Sequence, residues 1–263
     1  MKSIRSLISV SLLATIFVSA TKVSGKDFES RAYLIPKLEV GQVFSNIFSR
    51  TISYAPEGAD EVVWRASGTA VYVVSESTPA LLALDGKFRY DGRPQSAGRT
   101  EIKDGGSTLC YKGKCGRNTD GSGLLFNPFL WGEPKRILKK GMTWEVSITE
   151  PWELGPVGKE TVTVMHIDPL SHSVTLKREG TGQGYFADEA KQIRITKDGK
   201  SYLTDVNPAT SHWIGYTTFR EGVVTSDELL VNRTVTLNSK ELGTISASQR
   251  EYILLNAMPP PSA

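Results

Sequence analysis

Two of the three histidines fall in one short stretch with a carboxylate, His166, Asp168 and His172. Such a group could hold a metal or move protons. Alternation along an extended strand sets His166 and Asp168 on one face, and a turn at Asp168-Pro169 could bring His172 back toward them. The same residues also read without chemistry: Asp168-Pro169 opens a turn, His172 is exposed at its end, and His166 is a half-buried strand residue. His212, next to Trp213, is a second candidate base if a carboxylate such as Asp205 orients it. The chain carries no nucleophile elbow, no zinc-protease motif, no phosphate loop and no dinucleotide fingerprint. Ser122, between Gly121 and Gly123, reads as a turn serine. An extracellular hydrolase is therefore the alternative reading, resting on His166, Asp168 and His172 or on carboxylates paired only in space. No cofactor and no metal are expected.

Aromatic residues outside strand patterns offer a different chemistry. Phe126, Phe129 and Trp131 crowd one segment, and Trp152 lies between Pro151 and a Gly-Pro pair. Indole and phenyl rings on loops can stack on a ligand or close the mouth of an apolar cavity, or they can plug the ends of a β-structure as core. With Trp213 these five residues are the candidate ligand-binding set. Trp64 and Trp144, inside strand patterns, are expected in the core.

These residues must be positioned by β-structure. Asp-Gly pairs recur at 85–86, 91–92, 104–105, 120–121 and 198–199, and β-branched or aromatic runs lie between them. That spacing predicts antiparallel hairpins. About the turn at Asp198-Gly199, Ile195 faces Tyr202 and Arg194 faces Leu203 on the other side. A second hairpin runs from Glu160 to Arg178. No window in the chain after the leader has a capped helical period, and only Ser246 to Met258 is open between helix and strand. The expected fold is all-β, a hairpin-rich antiparallel sandwich or an open half-barrel.

Cys110 and Cys115 flank Tyr111-Lys112-Gly113-Lys114. If Lys112-Gly113 is a two-residue turn, the cysteines face each other across a non-hydrogen-bonded pair, at a distance a disulfide tolerates. Four residues between them suit neither the redox nor the zinc spacing.

One internal echo groups the strands: Leu38, Gly41, Phe44 and Phe48 return as Leu138, Gly141, Trp144 and Ile148. A looser one matches Arg65 to Tyr72 with Arg178 to Tyr185. Two similar β-layers and strands that merely look alike both fit. The expected organisation is a leader at 1–25, one all-β domain at 26–258 with possible halves 34–116 and 135–258 joined by 117–134, and a solvated tail at 259–263.

Lys2 and Arg5 ahead of an apolar run from Leu7 to Val18, with small-residue exits at Ala20 or Gly25, are the layout of a secretory leader. The run is too short to span a bilayer. Cleavage removes Lys2 and Arg5, and Lys22 at the later exit, taking the formal net charge from +3 to +1 or 0. So small a charge argues against nucleic acid as a partner. The leading expectation is an exported, periplasmic or secreted, non-enzymatic β-protein, not membrane-spanning after cleavage, that binds a small ligand, a lipid, a glycan or an envelope protein. A structural component of an envelope assembly is a third reading.

Overall fold

Two-residue turns set the geometry, because each closes a hairpin whose register decides which side chains share a face. The computed structural model describes residues 33–103, 106–119, 123–134, 137–187 and 189–258. The expected leader at 1–25 and tail at 259–263, Ser122 and the Asp-Gly pairs at 104–105 and 120–121 lie outside the described residues.

At Lys112-Gly113 both turn residues have positive φ, 50° and 75°, as a type I′ hairpin requires. Tyr111 accordingly pairs with Lys114 and Cys110 with Cys115, and the cysteines form a disulfide with a Cα separation of 4.0 Å. Asp198-Gly199 repeats the device with φ of 51° and 72°. Ile195 then faces Tyr202 and Arg194 faces Leu203, as alternation predicts.

The first wing is a meander of β1 (Val43–Pro56), β2 (Val62–Ser77), β3 (Leu82–Tyr90), β4 (Ser96–Lys103), β5 (Gly106–Tyr111) and β6 (Lys114–Arg117). A connector with a single-turn helix, α1 (Pro128–Trp131), leads to β7 (Thr143–Ile148), β8 (Gly158–Asp168) and β9 (Ser173–Gln183). The second wing is completed by β10 (Gln192–Lys197), β11 (Lys200–Arg220), β12 (Val223–Ser239) and β13 (Gly243–Met258). The strands form one antiparallel sheet in the order β6-β5-β4-β3-β2-β1-β13-β12-β11-β9-β8-β7, with β10 added beside β11. The open half-barrel is thus the form realised. Ser246 to Met258 is strand, because β1 and β12 pair with it on both sides and its odd-numbered residues from Ile245 to Leu255 are buried.

The sheet curls until its ends approach. Arg50, on the inner face of β1, reaches across to Glu153 beyond β7 at 3.1 Å. Arg117, the last residue of β6, meets Glu150 at 2.9 Å, and the Glu153 amide donates to the Thr119 carbonyl at 3.1 Å. The edge strands β6 and β7 do not pair with each other. Instead the connector turns inward, and Leu130 and Trp131 of α1 are fully buried.

Pro208 lies inside β11, where a proline cannot donate to the ladder. It sits at a register shift between Pro208 and Ser211, and the extra residue changes the phase of the strand. Thr204 and Val206 are buried before the bulge, Ser211 and Trp213 after it.

The first echo has a structural counterpart. Gly41 and Gly141 have φ of 88° and 82°, and each donates its amide at 2.8 Å to a valine carbonyl, Val74 or Val164. Each valine immediately precedes a bulge, at Val74/Glu76 and at Val164/His166. Counting along the ladders from these points pairs Gly68 with Gly158, Leu84 with Leu176, Thr100 with Thr217 and Gly98 with Gly215. The second echo is not in register, since Gly68 corresponds to Gly158 rather than to Gly180.

Candidate ligand cavity on the concave face of the first wing

Residues opposite each other in an antiparallel ladder point to the same face. From Tyr54 and Arg50, which face inward, the registers of β1 to β5 therefore place Tyr72, Leu84, Phe88, Tyr90, Leu109 and Tyr111 on the concave side. These side chains enclose a cavity of about 370 Å³, closed on its far side by Gly123, Leu124, Leu125 and Phe126 of the connector. That is within the small-molecule range.

The strand rows also order the lining along the cavity. One end holds Leu84, Ile102 and Leu109 against Leu124 and Leu125, with Thr100 and Ser107 in the same rows, and the middle is aromatic, with Tyr72, Tyr111, Phe88 and Phe126. The other end holds Tyr90 and Arg93, with Ser96 in the row of Phe88; Tyr90 and Tyr111 are 39% and 40% exposed. Gly86 makes room for the rings: a Cβ there would stand 2.8 Å from Phe88 Cζ and 3.1 Å from Tyr72 Cε1. Tyr72 and Phe88 meet edge to face, with centroids 5.6 Å apart, a preferred aromatic geometry. The disulfide is on the opposite, outer face of the β5–β6 hairpin, where it staples the cavity wall.

The corresponding positions of the second wing are filled. In place of Ala70, Gly86 and Leu109 stand Glu160, Arg178 and Asp227, all buried. Arg178 lies 3.6 Å from Asp227, which also accepts from Thr217 Oγ1 at 2.6 Å. Trp213 Nε1 donates to Glu160 at 2.7 Å, and the Arg178 guanidinium stands 4.5 Å from the centre of the Trp131 ring. Burial pushes the Glu160 carboxyl up to about 7, against the opposing pull of Arg178 and of the Trp213 hydrogen bond.

The aromatic residues singled out in the sequence part company here. Phe126 lines the cavity and stacks on Trp131. Phe129 is half-buried beneath the Arg117 guanidinium. Trp131 and Trp152 have no exposed surface and Trp213 only 3%, so these three plug the second wing. Trp144 is half-buried and donates to the Trp131 carbonyl at 2.6 Å. Trp64, expected in the core, is 45% exposed; it lies on the inner face of β2, edge-on to Tyr54.

The histidine group forms a turn. Asp168 accepts from the Leu170 amide at 2.9 Å and from Ser171 Oγ at 2.6 Å, and the hydroxyl holds its carboxyl below the usual range. His172 has φ of 50°, stacks on Tyr33 and approaches Glu221 at 3.4 Å. His166 is exposed beyond the bulge. His212 faces an open polar groove on the outer side of β11, while Asp205 accepts from Gln192 at 2.7 Å. No group of three potential metal ligands occurs among the described residues. Sequence reasoning missed Tyr72, Phe88, Tyr90 and Tyr111 because each looks like an ordinary strand aromatic. The signal that could have found them was the set of hairpin registers written side by side, which aligns them on one face with Gly86 and Gly98.

No family model matches the chain, and no curated protein matches it. Among solved structures, the crystal structure of an outer membrane channel from Pseudomonas putida F1 overlaps 85% of this chain and 97% of its own length. The two share 8% identity at a TM-score of 0.22, a level of likeness that does not establish a common fold.

Proposed function

We propose that this protein is an exported, non-enzymatic binding protein that holds a small apolar ligand in the concave cavity of its first wing. One observation carries the reading: two wings with matching ladders differ in that one is packed solid and the other keeps a lined cavity of about 370 Å³. A protein that needed only stability would gain by filling that space too, since an unfilled apolar cavity costs packing contacts. Export is supported by the leader pattern before residue 25 and by the disulfide, which persists in oxidising compartments. No helix among the described residues is long and apolar enough to cross a membrane.

The test uses a neutral apolar fluorophore, N-phenyl-1-naphthylamine, with the whole protein. Wild type is expected to bind it with a dissociation constant on the order of 10 μM or tighter. Ser96→Trp and Thr100→Phe, which place bulk on the cavity lining, are expected to weaken binding at least about tenfold with the melting temperature within a few degrees. Unchanged affinity in both variants would remove the cavity as the binding site.

A further inference from the structure

We infer that the ligand is a single-chain amphiphile with an anionic head, tail-first in the cavity with its head at Arg93; this rests on the binding role proposed above. The lining is graded rather than uniform. Leu84, Ile102 and Leu109 stand against Leu124 and Leu125 at one end, where the polar Ser107 and Asn118 side chains bond each other at 3.2 Å, and Arg93 stands at the other end. From Leu84 to Tyr90 the cavity follows six steps of β3, roughly 20 Å at about 3.3 Å per residue. A volume of about 370 Å³ along that length accommodates one extended chain.

Among the described residues Arg93 is the one charged residue lining this cavity, and no described carboxylate pairs with it. Asp91, in the same turn, accepts from Ser67 Oγ, and Ser67 is on the outer face of β2, so that carboxylate is directed away from the cavity. Lys112 and Lys114, at the tip of the β5–β6 hairpin beside Tyr111, add positive charge at the same end. A carboxylate or phosphate head would find a guanidinium there, and a cationic head would meet repulsion.

Displacement of N-phenyl-1-naphthylamine by dodecanoate, dodecyl phosphate and dodecyltrimethylammonium tests this on the full protein. At least one of the two anions should displace the fluorophore at a concentration at least about tenfold lower than the cation does. Whichever anion is stronger distinguishes a free fatty acid from a phosphate-headed lipid as the source. Arg93→Glu, at an exposed turn position, should bring anion and cation to parity or reverse them, with Arg93→Gln intermediate. Equal displacement by anion and cation in wild type, or a ratio untouched by Arg93→Glu, would overturn the anionic head while leaving the cavity reading intact. If the fluorophore binds and none of the three chains displaces it, the single-chain ligand is wrong; if the fluorophore itself does not bind, the cavity reading fails first.

Discussion

The two wings offer the same ladder to the interior and fill it by different means. Where the first has Ala70, Gly86 and Leu109, the second has Glu160, Arg178 and Asp227, sealed beneath Trp131 and Trp152. Ala70 and Gly86 at the first set of positions leave volume. At the second set, ionisable groups are held out of water only because each has an opposite charge or a hydrogen bond close by. A shared backbone pattern therefore does not settle which concavity stays open; side-chain volume and charge at a handful of inward positions do.

Breaking the packed wing should give the largest effect. Arg178→Ala leaves Asp227 buried beside a lost cation, and removal of one partner of a buried pair costs about 3–5 kcal/mol; urea midpoints of the variant and wild type measure it. Phe88→Ala, in the open wing, should disturb stability less and fluorophore binding more. A loss at Phe88→Ala equal to that at Arg178→Ala would erase the distinction between the wings.

Next in size is the pH dependence of Glu160. The folded protein keeps this proton up to about pH 7, while the unfolded chain releases it near 4.5. Between those values the folded state binds more protons than the unfolded one, so the contribution is complete below 4.5 and is lost as pH rises toward 7. Linkage makes the loss roughly 3 kcal/mol. Glu160→Gln keeps an acceptor for Trp213 and should flatten the slope, which denaturation on both sides of pH 7 will show. Parallel slopes in the two proteins would mean that Glu160 is ionised throughout.

Replacing Cys110 and Cys115 together by serine removes a short covalent loop, worth about 2 kcal/mol in the chain-entropy model. The effect should concentrate in the first wing, and hydrogen exchange faster in β5 and β6 than in β8 and β9 checks it. The smallest effect is expected at Trp64, 45% exposed: alanine there should cost under about 1 kcal/mol, against about 3–5 kcal/mol for Trp152→Ala. Similar melting temperatures for the two tryptophan variants would contradict the burial that separates the wings.

Much of the fold was legible in the sequence because its signals are local. Lys112-Gly113 and Asp198-Gly199 need positive φ at both turn residues, and few residue types accept that, so the turns and their cross-strand partners could be written down in advance. The repeated leucine and glycine around Gly41 and Gly141 carried the same kind of information, because a donor fixed by a turn anchors the strand that follows. The looser echo failed because it compared residue types without counting the ladder. The candidate site was far less legible. Trp131 and Trp152, outside strand patterns, are sealed, and Trp64, inside one, is open, the reverse of what the local pattern suggests.

By itself, then, the sequence determined the turns at Lys112-Gly113 and Asp198-Gly199, their hairpin registers and the facing cysteines, all consequences of φ preference and alternation over a few residues. Asp85-Gly86, read as a turn, is instead paired on both sides inside β3, where Gly86 serves packing. Tertiary structure decided that the sheet curls, which concavity the connector plugs and which it only covers, and so where a cavity remains. Those outcomes depend on contacts such as Arg50 to Glu153, between groups 103 residues apart. Burial is set by what lies across the curled sheet, and no local pattern encodes the opposite wall.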